Sequence, residues 1–141
     1  MRHDRVRQLA RAVAWGRVAI GAGALVAPTA LAIPWVGDAA ASPASRLLAR
    51  TMAGRDLALG IGAVRALGRS GDEARVWVAL GGTADAVDAL ATLLAFEQLP
   101  RLRRWAVLAL TAGAAITSLR VAADLDEAEA AARAAELSAT G

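Results

Sequence analysis

Four residues in an otherwise apolar setting could do chemistry: Arg55-Asp56, and Asp85 with Asp88 three positions later. Asp85 and Asp88 are i, i+3 neighbours, so on a helix they share a face. Arg55 stays protonated and can polarise an oxygen or orient a carboxylate. Three aspartates against one arginine leave excess negative charge in a poorly solvated place. At least one carboxyl group is expected to keep its proton, and the set to titrate together. A carboxylic acid beside a carboxylate is what acid–base catalysis needs. Asp85 and Asp88 are therefore the acid and base candidates, with Asp56 and Arg55 orienting them and stabilising charge on oxygen. Arg17 and Arg120 are candidate binding residues for an anionic group. Each also has a simpler role, with its head drawn out to water and, for Arg120, an i+4 pair with Asp124.

Other chemistries are excluded by composition. The 141 residues contain no cysteine and a single histidine, His3, in the N-terminal tail. Thiolate nucleophiles, metal sites and a Ser-His-Asp triad are out, and no cofactor is implied. All 16 cationic residues are arginine and the net charge is +3. They flank apolar stretches or sit singly inside them and form no basic face, so nucleic acid is not the expected partner. With 57% hydrophobic residues and a mean hydropathy of +0.44, the lipid bilayer is.

Four apolar segments must position the site: Ala12 to Val36, Leu47 to Leu67, Val76 to Phe96, and Leu102 to Ala123. An acidic, alanine-rich tail follows over 124–141 as a helical extension. Each segment can cross about 30 Å of hydrocarbon at about 1.5 Å per residue. Pro28 and Pro34 should kink or end the first. Gly37–Ser45, Gly68–Asp72 and Glu97–Arg104 carry turn chemistry, and such short links imply antiparallel neighbours. The expected architecture is all-α, a four-transmembrane-helix antiparallel bundle forming one membrane domain. Trp15, Trp35, Trp77 and Trp105 fall at span ends, as an interfacial belt would place them. Seven arginines lie on the side of the termini and four on the other. That sets both termini in the cytoplasm of a multi-pass cell-membrane protein. Small-residue ridges (Gly54, Ala58, Gly62, Ala66; Ala19, Gly23, Ala27) allow close packing, or an oligomer of identical chains. With 39 alanines such ridges also arise by chance.

An arginine or aspartate at mid-span costs about 2.5–3.5 kcal/mol, while each large aliphatic returns about 0.3–0.6. The second segment should therefore not insert alone and needs partners inside a bundle. Asp85 lies eight residues after Trp77 and Asp88 eight before Phe96, at the depth of Arg55 and Asp56. The expected site is at the bilayer centre. Three functional classes fit it. One is an enzyme acting on a lipophilic small molecule, another a proton-coupled carrier. The third is a non-catalytic subunit whose ion network only sets helix packing.

The stretch Ala53-Gly54-Arg55-Asp56-Leu57-Ala58-Leu59-Gly60-Ile61-Gly62, followed by Asp85-Ala86-Val87-Asp88, resembles a family of small four-span membrane proteins known only as a domain of unknown function. The resemblance covers about residues 12–123. Fungal proteins of this type are associated with epoxide opening in polyketide pathways, which implies an epoxide-hydrolase-type reaction. The residues resemble the Asp/Arg/Asp set of limonene-type epoxide hydrolases, on a different and soluble fold.

Overall fold

The computed structural model describes residues 2–69 and 73–139, with side chains from Asp4 onward. The end of the expected turn Gly68–Asp72, the side chain of His3 and the last two residues of the tail lie outside that set. The described residues are mostly helical, and none of them forms a strand. Five α-helices follow one another: α1 Arg2–Val26, α2 Pro28–Val36, α3 Pro43–Leu67, α4 Glu73–Leu94 and α5 Arg104–Ala139, with 3₁₀ turns at Gly37–Ala41 and Phe96–Gln98.

The first apolar segment is two helices, not one. Pro28 lacks the N–H that would continue α1, and Ala27 leaves helical geometry at φ −126°, ψ 62°. Pro28 then opens α2 at a position where its fixed φ suits a helix start. Pro34 sits inside α2 without ending it. Gly37 ends α2 at φ 60°, a conformation that favours glycine. Trp15 and Trp35 consequently do not bracket one straight helix. Ser42 caps α3, its hydroxyl accepting from the Ser45 N–H at 3.1 Å. The fourth segment and the tail form one helix of 36 residues.

Neighbouring long helices run in opposite directions. Arg7 near the start of α1 donates to the Leu67 carbonyl oxygen at the end of α3, at 2.7 Å. Further along α1, Gly21 meets Ala53 and Leu57 of α3. On α4 and α5, Gly82 lies against Ser118 and Leu119, and Arg75 pairs with Asp126 at 3.3 Å. The core is built largely of alanine. Ala10, Ala14, Ala63, Ala66, Ala74 and Ala122 are buried, closed at one end by Leu67 and Leu125. Small side chains let the helix axes approach closely.

The close approaches follow the expected ridges only in part. Gly62 packs against Trp77 and Ala66 is buried in the core, whereas Ala58 is exposed and a methyl group on Gly54 would meet nothing within 4 Å. The contact of α1 with α3 is made by Gly21 and Gly60. A Cβ on Gly60 would stand 2.7 Å from Val18 Cγ2 and 3.0 Å from the Ala14 carbonyl oxygen. Gly60→Ala should therefore destabilise the protein by about 1–3 kcal/mol through overpacking. Gly54→Ala should be neutral or stabilise by up to about 1 kcal/mol, because alanine is the better helix former. Thermal melts in detergent check the contrast, and equal melting of the two variants would refute this packing.

Three helices are long and apolar enough to cross a membrane: Asp4–Val26, Glu73–Leu94 and Arg104–Ala139. Their large apolar side chains point outward in numbers. Leu80, Val87, Leu90 and Leu93 of α4 and Ile116 of α5 are all exposed. Such surface is unfavourable in water and costs nothing in hydrocarbon. Helix α3 is equally long but carries Arg46, Arg50, Arg55, Asp56 and Arg65, which keep it outside that set.

Candidate functional site

The site forms where α1, α3 and α4 meet at mid-length. Arg17 lies nine residues before the end of α1 at Val26, and Asp85 nine before the end of α4 at Leu94. Asp56 is thirteen residues after the start of α3 at Pro43. Since α3 runs opposite to α1, the three share one level.

Two arginines, not one, hold the three carboxylates. Arg17 Nη1 donates to Asp56 Oδ1 at 2.9 Å. Its Nη2 donates to Asp85 Oδ2 at 2.5 Å and to the Gly81 carbonyl oxygen at 3.1 Å. Arg55 forms a fork on Asp88, Nη1 to Oδ1 at 3.0 Å and Nη2 to Oδ2 at 2.7 Å. Arg55 Nη2 also reaches Asp56 Oδ1 at 3.3 Å. Asp56 thus links the two arginines, while Asp85 pairs only with Arg17 among the described residues. The Arg17 side chain is 11% exposed, so the expected outward course of this arginine is replaced by an inward one. The reason is the early end of α1. With the helix stopping at Val26, Arg17 sits at mid-height rather than at a span end.

The cluster has three carboxyl groups and two guanidinium groups, a smaller excess than one arginine would leave. Asp88 has both oxygens engaged by Arg55. Among the described residues, no group donates to Asp56 Oδ2 or to Asp85 Oδ1. Those two oxygens are available to a ligand or to water.

A cavity of about 690 Å³ adjoins them, bordered by Arg17, Asp56, Asp85 and Asp88. Its walls are otherwise mostly apolar: Val13 and Ile20 from α1, Leu31 and Trp35 from α2, Leu48 and Met52 from α3, Leu110 from α5. The volume suits a small organic molecule, and an apolar wall with a few convergent polar groups is the usual form of a ligand site. Helix α2 closes one side. Arg103, in the link before α5, donates to the Ile33 carbonyl oxygen at 2.8 Å and ties α2 in place.

Comparison with family models, curated proteins and solved structures returns no match. The site's own geometry carries the functional argument.

Of the residues expected from sequence, the structure brings Arg55, Asp56, Asp85, Asp88 and Arg17 together. Arg120 is not among them. It is exposed on α5, does not border the cavity, and makes no ion pair with Asp124 among the described residues. Gly81 and Gly82 serve packing, the first against the Arg17 guanidinium and the second against Ser118 and Leu119. Trp35 borders the cavity and Trp77 packs on the core. Trp15 and Trp105 are exposed, as belt residues would be. Sequence reasoning missed Trp35 and the polar face of α5 that carries Thr111 and Ser118. The signal for Trp35 was the break at Pro28, which starts the separate helix α2 that lines the cavity.

Proposed function

We propose that the chain is a four-span antiparallel membrane bundle of α1, α3, α4 and α5, with acid–base chemistry on a lipophilic small molecule at its centre. The observation that carries this reading is the apolar cavity ending on Asp56 and Asp85, each with an unpartnered oxygen. A network serving packing alone needs neither the cavity nor free carboxylate oxygens. In this reading α3 spans because α1 and α4 supply Arg17, Asp85 and Asp88 to its charges. Helix α5, at about 54 Å, outreaches the hydrocarbon by several turns, and its acidic end lies in the cytoplasm with the N-terminus.

The specific reaction we favour is opening of an epoxide by water, the reaction that the resemblance of the Gly-Arg-Asp and Asp-x-x-Asp elements implies. One proton shared by the cluster balances three carboxyl groups against two guanidinium groups. Asp88 has both oxygens held in the Arg55 fork and takes no part in the proton transfer. Asp56, touched by both arginines, is the carboxylate and base; Asp85 is the acid. Asp56 takes a proton from water as the water oxygen bonds to an epoxide carbon. The C–O bond on that carbon breaks, and the leaving oxygen takes the proton of Asp85. The product is a vicinal diol, and solvent returns the proton from Asp56 to Asp85.

The test is hydration of lipophilic epoxides by the protein in proteoliposomes in ¹⁸O-labelled water. Diol carrying one label, lost in Asp56→Asn and Asp85→Asn, is the expected result. No diol, or unchanged turnover in Asp→Asn variants at 56, 85 and 88, would sink the assignment.

A further inference from the structure

A hydroxyl in an apolar helix ordinarily bonds the carbonyl one turn back. Thr51, Thr83, Thr92 and Thr111 all do so, donating to Leu47, Ala79, Asp88 and Val107. Ser118 does not. Its residue is only 2% exposed, and among the described residues its hydroxyl has no partner. The hydroxyl itself keeps accessible surface on the cavity that Ser118 borders, where water or a ligand can satisfy it.

Ser118 borders the same cavity as Asp85. Its Cβ stands 3.0 Å from where a methyl group on Gly82 would be. Gly82 is three residues before Asp85 on α4, one turn away on the same face. The absent side chain of Gly82 thus lets the hydroxyl-bearing carbon of α5 come close to the stretch of α4 that holds the carboxyl group.

We propose that Ser118 is a ligand-binding hydroxyl, donating its proton to the acceptor oxygen of a bound molecule beside Asp85. The ligand class follows from the walls: an aliphatic body with one acceptor oxygen at its buried end. This rests on the reading that the cavity is a ligand site, and it deepens that reading without depending on turnover.

The test uses the full chain in nanodiscs and two inert probes, N,N-dimethyldecanamide and decane. The amide oxygen accepts a hydrogen bond and the molecule donates none. Binding is read from Trp35 emission, identified by its loss in Trp35→Phe. The amide should bind more tightly than decane. Ser118→Ala should weaken the amide by about three- to tenfold, the worth of one hydrogen bond, and leave decane unchanged. Ser118→Thr should retain amide binding. Equal effects on both probes, no effect on either, or no binding of either to the unaltered protein would overturn the proposal. Amide binding with the Ser118 signature but no epoxide hydration would overturn the reaction and leave Ser118 its role.

Discussion

Arg17→Met should destabilise the protein more than any other single change at the site. Among the described residues Arg17 is the sole arginine on Asp85, and it makes the shortest of three contacts on Asp56. All three side chains are 11–16% exposed. Removing one member of a buried ion pair leaves an uncompensated charge and costs about 3–5 kcal/mol. Here the cluster would hold three carboxyl groups against Arg55 alone. Adding Asp56→Asn removes an ionised carboxylate and restores the original excess of one carboxyl group, so the double variant should recover much of the loss. Accumulation in membranes and thermal melting in detergent check both. An Arg17→Met protein that melts like the parent would show that this arginine does not hold the cluster. So would a double variant no better than the single.

The second large effect is a separation of turnover from stability. Asp85→Asn keeps shape and hydrogen-bonding capacity but cannot deliver a proton. Loss of a positioned acid typically costs about 10²–10⁴-fold in rate, so epoxide hydration should fall by that factor with melting nearly unchanged. The pair Arg55→Leu with Asp88→Leu should do the opposite. It replaces a forked ion pair by apolar groups, which is often neutral or stabilising. It leaves Arg17, Asp56 and Asp85 in place, so most of the turnover should persist. Were the cluster a packing device alone, Asp85→Asn would alter assembly or melting, and no variant would show a selective catalytic loss.

Much of the site was legible in the chain. Arg55, Asp56, Asp85 and Asp88 stand out because ionised groups are costly in apolar helices, and their distances from the segment ends put them at one depth. The Asp85-x-x-Asp88 spacing fixes one helix face before any fold is known. The all-helical character and three apolar helices follow from long runs that satisfy their own backbone hydrogen bonds. What local pattern could not rank was which of several in-span arginines turns inward. Arg17 and Arg120 look alike in sequence, each near the end of an apolar run. The break at Ala27–Pro28 shortens the first helix and brings Arg17 to the level of Asp56, whereas Arg120 stays on the outer face of α5.

The sequence alone determined the chemistry available, carboxyl and guanidinium groups in an apolar chain without thiols and with a single histidine. It also determined the helical segments and the shared level of Arg55, Asp56, Asp85 and Asp88 along them, because composition and period are local properties. Tertiary structure decided the pairing and the cavity. Which guanidinium meets which carboxylate depends on how closely α1, α3 and α4 approach, and Gly21, Gly60, Gly81 and Gly82 set that through contacts between distant parts of the chain. The cavity that Asp56, Asp85 and Ser118 border is lined by residues of all five helices, which meet only in the folded chain.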